Sequence, residues 1–405
     1  MPIAETMAFL QALADNAAAT SGWAVATVSS LVCMIALRIS RKHEVIVDKV
    51  PREMRLAVNS GDPDAEARAE VLTTVARAIA RDNWSALGQE VGGWEEDLRM
   101  TPSGKRFHEI AAEACLAPLE ETLDRMKRDE LSALDPARLL VRGFEQRHRA
   151  DPGNPALAAI AARASLILAD NCHADFWPDH LRSAAWRRHA FHTLQAETIL
   201  GRFDAVSYMS PLLAEAAWRL ALGMPDGDRR IDAAFQDWID LDPSNPAIYE
   251  AHMPLLLLEG VGSPEAVLEE AERAEARTAD TLGRGGYALA MLPLLDDGEQ
   301  VIRALIDDER MAEAMVDLAS HSATQAEVNW IAGRLLREVE DSTGVRADFY
   351  RGAFEKVARS HLVELYPHVW ARDLAEIRAA LAEAYADAPR KEATAVRRLS
   401  AARAT

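Results

Sequence analysis

Apolar positions along this chain recur at spacings of three and four. Leu157, Ile160, Ala161, Ala164, Ile167 and Leu168 share one helix face, and Val267, Leu268, Ala271 and Ala274 share another. Alternating or β-branched runs are scarce, and 45–47 is a short, weak candidate strand. The helix starts are legible. Asp62-Pro63, Asp135-Pro136, Asn154-Pro155, Ser210-Pro211, Asn245-Pro246 and Ser263-Pro264 each set a capping side chain before a proline. The side-chain oxygen takes a free N–H, and proline at the first helical position forfeits no hydrogen bond. Thr324 with Glu327 forms a capping box. Many helices joined by short turns predict an all-α fold, an irregular helical-hairpin solenoid.

Two of these starts carry a longer motif. Asp151-Pro-Gly-Asn-Pro155 leads into one helix, and Asp242-Pro-Ser-Asn-Pro246 leads into another that holds Tyr249. Gly260 and a second helix with Ala266 follow the latter. On these residues the stretch 235–276 resembles a tetratricopeptide repeat, which implies paired helices approaching over small residues. His252 and Met253 depart from that pattern, standing where the family usually has Leu and Gly. The two motifs begin 91 residues apart, not a multiple of the 34-residue period, so the array is not regular. Across 65–295, the order of Trp84, Leu87 and Trp94, then Thr101-Pro-Ser-Gly-Lys105, then Ala185-Trp-Arg-Arg188 between the two motifs, is similar to a bacterial family of helical-repeat proteins of unknown function. That similarity implies a fold and no chemistry. The expected organisation is an N-terminal segment over 1–42, a repeat domain over 43–295 and a helical extension over 296–405.

Residues 16–37 hold no charged side chain. As a helix they would reach about 33 Å, enough for a hydrocarbon core of about 30 Å. Arg38, Arg41 and Lys42 follow, so a membrane helix here would leave the rest of the chain in the cytoplasm, as a single-pass protein of a bacterial inner membrane. The segment has no basic n-region, which argues against a cleaved signal peptide. The alternative is a buried helix of a cytoplasmic soluble protein.

The chain has 405 residues and a net charge of −19, which opposes a nucleic-acid surface and favours basic partners. The charge is uneven. Residues 38–55 carry six Lys/Arg against three acids, and the tail from 390 carries five against one. Cys33, Cys115 and Cys172 are too scattered for a disulfide framework or a CxxC metal site, and they suit a reducing compartment.

The densest polar and aromatic stretch is 171–192, with Cys172, His173, Asp175, Asp179, His180, His189 and His192. His189 and His192 share a helix face, so a metal-dependent hydrolase is the alternative reading. Against it, the His-Glu-x-x-His spacing is absent, and Arg187 and Arg188 oppose a cation. Ser103-Gly104-Lys105 resembles the end of a phosphate loop, but Arg99 stands where the loop's first glycine belongs. No Gly-x-Ser-x-Gly elbow exists. Carboxylates are abundant, and none is read here as standing alone in an apolar run. The expected function is therefore non-enzymatic. A scaffold groove would hold a protein or peptide on Trp186, Arg187, Arg188, His189 and Tyr249, with no metal and no cofactor. Self-association is the remaining structural alternative.

Overall fold

The computed structural model describes residues 55–127, 130–224, 227–258, 261–296 and 300–386. The proposed membrane segment 16–37, Cys33, the strand-like 45–47 and the basic tail from 390 lie outside these residues. Among the described residues no helix is long and apolar enough to cross a membrane.

The chain divides into two compact units, Met1–Ala57 with Arg378–Thr405, and Val58–Ile377. The described residues are mostly helical, with 17 α-helices. In chain order these are α1 (Ala65–Ala80), α2 (Trp84–Glu96), α3 (Phe107–Asp124), α4 (Asp135–Ala150), α5 (Pro155–Asn171) and α6 (Asp179–Leu200). Then come α7 (Pro211–Gly223), α8 (Gly227–Leu241), α9 (Pro246–His252), α10 (Pro264–Leu282), α11 (Gly285–Asp296) and α12 (Gln300–Leu305). The last are α13 (Asp308–His321), α14 (Gln325–Asp341), α15 (Val345–Ser360), α16 (Pro367–Trp370) and α17 (Leu374–Ala386).

The predicted caps form where the side chain can fold back on its own helix. Asn154, Ser210, Asn245 and Ser263 accept backbone N–H bonds from the first turns of α5, α7, α9 and α10, and Thr324 with Glu327 closes the capping box of α14. Two starts differ. Asp62 accepts from Asp64 N at 2.9 Å, making a turn ahead of α1, and Asp135 is itself the first residue of α4.

Within the unit Val58–Ile377, helices pack on the next one along and on the next but one: α4 on α5, α5 on α6 and α7, α10 on α11, α11 on α13, and α13 on α15. The helix α5 is buried almost all round, from Ala156 to Ala169, which explains why its apolar residues overflow a single stripe.

Two features of the packing stand out. First, this unit runs through residue 295 without a division. The helix α11 is apolar on every side, with Tyr287, Ala288, Leu289, Ala290, Met291, Leu292, Leu294 and Leu295 all buried. It needs α13 as well as α10 to cover it. Second, a one-dimensional array makes only neighbour contacts, whereas the late helices here return to the early turns. Thr324 Oγ1 at the start of α14 donates to Pro102 O, and Asn59 N donates to Leu365 O at 2.8 Å. Arg106, just before α3, grips Asp242 in the α8–α9 turn through two hydrogen bonds of 2.6 and 2.7 Å. The helices α3, α5, α7, α9, α11 and α14 line two neighbouring clefts, called chambers below, that are partly open to solvent.

Candidate functional site

The residues expected to form a partner surface separate into three environments. Trp186 and Arg187 lie on the exposed side of α6, and Trp186 stacks on His189 with ring centroids 5.1 Å apart. His189 is buried and donates from Nδ1 to Ala169 O at 3.0 Å. Arg188 donates to Leu131 O at 2.8 Å and so ties α6 to the turn before α4. Tyr249 is fully buried, its hydroxyl donating to Pro243 O at 3.0 Å. It belongs to the core under the second Asp-Pro-x-Asn-Pro turn and not to a surface shared with Trp186.

The exposed side of α6 carries more than the sequence reading assigned to it. Phe191 is 55% and Leu194 59% exposed, and Leu139 on α4 is 65% exposed. The buried face of α6 runs through Ala185, His189, His192, Ala196 and Leu200. Phe191 and Leu194, three apart, fall off that face, and this off-face apolar pair was the signal available in the sequence. Between α6 and α4 lies a groove of about 270 Å³, lined by Phe191, Leu194 and Gln195 on one side and by Glu145, His148 and Arg149 on the other. Burial pushes His148 below the usual histidine range, and Arg202 and Arg149 add to the shift. The helices α4 and α6 together hold seven arginines against four acids. The charged groups that line the groove itself are Arg149, Arg202 and Glu145, with Arg149 donating to Glu145 at 2.8 Å.

The histidine-rich stretch does not assemble as a metal centre. His192 is buried, donates to Gln195 at 3.1 Å, and is pushed down to about 4 by desolvation. Among the described residues, no three His, Cys, Asp or Glu side chains converge on a point that could hold a metal ion. Cys115 and Cys172 are buried free thiols, pushed up by burial to about 12 and about 11. Reactive thiols need the opposite shift.

A second concave feature lies inside the helical unit. A chamber of about 330 Å³ is walled by the turn before α3, by α3, α5, α7 and α8, and by the start of α9. Ser103-Gly104-Lys105 borders it, but not as a phosphate cradle. Gly104 N donates to Thr101 O, Ser103 N to Asp64, and Lys105 N to Thr101 Oγ1, so these amides are already engaged. Deeper in, Glu215 bridges two guanidinium groups, accepting from Arg163 at 3.1 Å and from Arg219 at 2.8 Å. Burial raises the Glu215 carboxyl, but the two arginines outweigh it and hold the group below its ordinary range. Glu109 accepts from Asn245 at 2.7 Å, yet burial pushes it up to about 7.

This cluster corrects the reading that no carboxylate stands alone in an apolar run. Glu215 follows Leu212, Leu213 and Ala214 and precedes Ala216 and Ala217, and Arg163 is the lone charge between Ala156 and Ala169. Each was visible as a solitary charge. Their pairing across 52 residues was not.

No family model, curated protein or solved structure matches this chain. The resemblance to tetratricopeptide repeats thus rests on the residues of 235–276 alone.

Proposed function

We propose that this protein is a non-enzymatic binding module that docks an amphipathic helix or peptide into the groove between α4 and α6. The observation that carries this reading is the exposure of Phe191 and Leu194, which line the groove, with Leu139 and Trp186 exposed elsewhere on the same two helices. Exposed apolar patches bounded by charge mark interaction surfaces, and an aromatic anchor in a shallow groove is the usual energetic centre of one. The arginines beside the groove call for a partner with acidic flanks. This reverses the basic partner expected from net charge, because screening makes the local field, within about 8–10 Å, the one a docked partner feels. The finer fold reading, an irregular tetratricopeptide-like array, is part of the same proposal. It is supported by the capped Asp-Pro-x-Asn-Pro turns and by the neighbour packing of the helices.

The test is affinity capture with the full chain and with Phe191→Glu/Leu194→Glu, each checked for unchanged helical circular dichroism. A specific partner that the wild type retains and the double variant loses, by about tenfold or more in affinity, supports the groove. Equal retention removes it. The charge-free segment 16–37 and the basic residues after it further support a membrane tether. Full-length protein should then sediment with membranes while a chain beginning at Glu44 stays in the supernatant, and identical fractionation of the two would end that part of the proposal.

A further inference from the structure

The chamber is lined by Lys105, Arg163 and Arg219 and by Glu109, Glu113, Glu215 and Glu250, and one of its guanidinium donors is left without a partner among the described residues. Arg163 and Arg219 converge on one acceptor, Glu215. Arg163 is 8% exposed, and its Nε is buried with no hydrogen-bond partner among the described residues. A buried guanidinium with an unmet donor is costly to leave so. The neighbouring acids are engaged with partners of their own. Glu113 is taken by Lys105 at 2.7 Å, Asp242 is taken by Arg106, and Glu109 is held by Asn245. Since burial lifts Glu109 to about 7, it is partly neutral at physiological pH and repels an incoming anion less than an ordinary glutamate would.

The chamber does not end there. A second one of about 290 Å³ adjoins it, and Pro246 and Glu250 line both. Its wall is mixed, with Leu289, Leu292 and Pro293 of α11, Trp330 of α14 and Pro254 beside Glu250 and Arg334. Trp330 is 40% exposed, which leaves part of its ring open to a guest.

We propose that the two chambers form one site for a small amphiphilic monocarboxylate, with its carboxylate on Arg163 and Arg219 and its apolar arm against Trp330. Arginine forks match the planar carboxylate. Glu109, Glu113 and Glu250 line the polar chamber, so the site accepts one negative charge and disfavours the two of a phosphate. This site is independent of the groove on α6, which lies on other elements.

Calorimetric titration of the full chain with phenylacetate, acetate and inorganic phosphate tests it. Phenylacetate is expected to bind saturably at one site, acetate at least about tenfold more weakly, and phosphate not measurably. Arg219→Gln leaves Glu215 paired with Arg163 and should weaken phenylacetate by about tenfold or more. Trp330→Ala should weaken phenylacetate but not acetate, and Phe191→Glu/Leu194→Glu should change neither. The proposal is overturned if no carboxylate binds saturably, if phosphate binds as tightly as phenylacetate, or if Arg219→Gln and Trp330→Ala, both shown to be folded, bind phenylacetate as the wild type does.

Discussion

At the scale of single residues, a buried histidine shows how the core accommodates a polar ring. His252 is 1% exposed. It stacks on Phe235 with centroids 3.7 Å apart, and its Nδ1 accepts from Trp218 Nε1 at 3.3 Å. An accepting Nδ1 and a desolvated ring both require the neutral imidazole, and burial pushes its pKa down to about 4. The folded value lies below the unfolded one of about 6.5, so the unfolded chain binds the proton more readily. Stability from this group is complete above pH 6.5 and is lost as pH falls toward 4. At pH 5 the loss is about 2 kcal/mol. His252→Gln keeps an acceptor for Trp218 but does not titrate, so its melting temperature should fall less than that of the wild type between pH 7 and pH 5. Parallel falls in the two proteins would show that His252 is not the titrating group.

At the scale of elements, small residues decide how closely helices meet. The turn between α10 and α11 contains Gly283, with φ of +57°, a backbone conformation that suits glycine. Gly286 sits where α11 presses against α10, and a Cβ placed on it would lie 2.1 Å from Thr278 Oγ1 and 2.3 Å from Ala274 O. By helix propensity alone Gly286→Ala should stabilise α11. By packing it should destabilise, since Ala274 O is backbone and cannot swing aside. Overpacking wins, and chemical denaturation should show a loss of about 1–3 kcal/mol. A gain would mean that α10 and α11 can separate without penalty. Which backbone atom Gly286 meets depends on the angle at which the two helices cross.

At the scale of the whole helical unit, long-range polar contacts replace the simple nearest-neighbour logic of a repeat array. Arg106 and Asp242 are 136 residues apart, their side chains are 4% and 0% exposed, and Arg106 also donates to Ser244 and to Leu98 O. Burying two charges is expensive, so such a pair need not add net stability, but breaking it strands a charge. Arg106→Met should therefore destabilise the unit by about 3–5 kcal/mol, and Arg106→Met/Asp242→Leu should recover most of that loss in urea unfolding. Additive losses in the double variant would show that the two residues act separately.

The order of helices, most of their starts and the apolar character of α5 and α11 were determined by the sequence, because caps, prolines and three-four periodicity act within a few residues of themselves. The exposed pair Phe191 and Leu194 and the solitary charges Arg163 and Glu215 were also present in it, as residues out of keeping with their surroundings. Their meaning came from tertiary structure. Whether an off-face phenylalanine faces water or a neighbouring helix, and whether a lone arginine meets a lone glutamate, depends on which elements come together across 50 to 140 residues. Local propensity carries no information about that pairing. The return of α14 to the Pro102 turn, and the cleft between helices that α14 helps to line, belong to the same category.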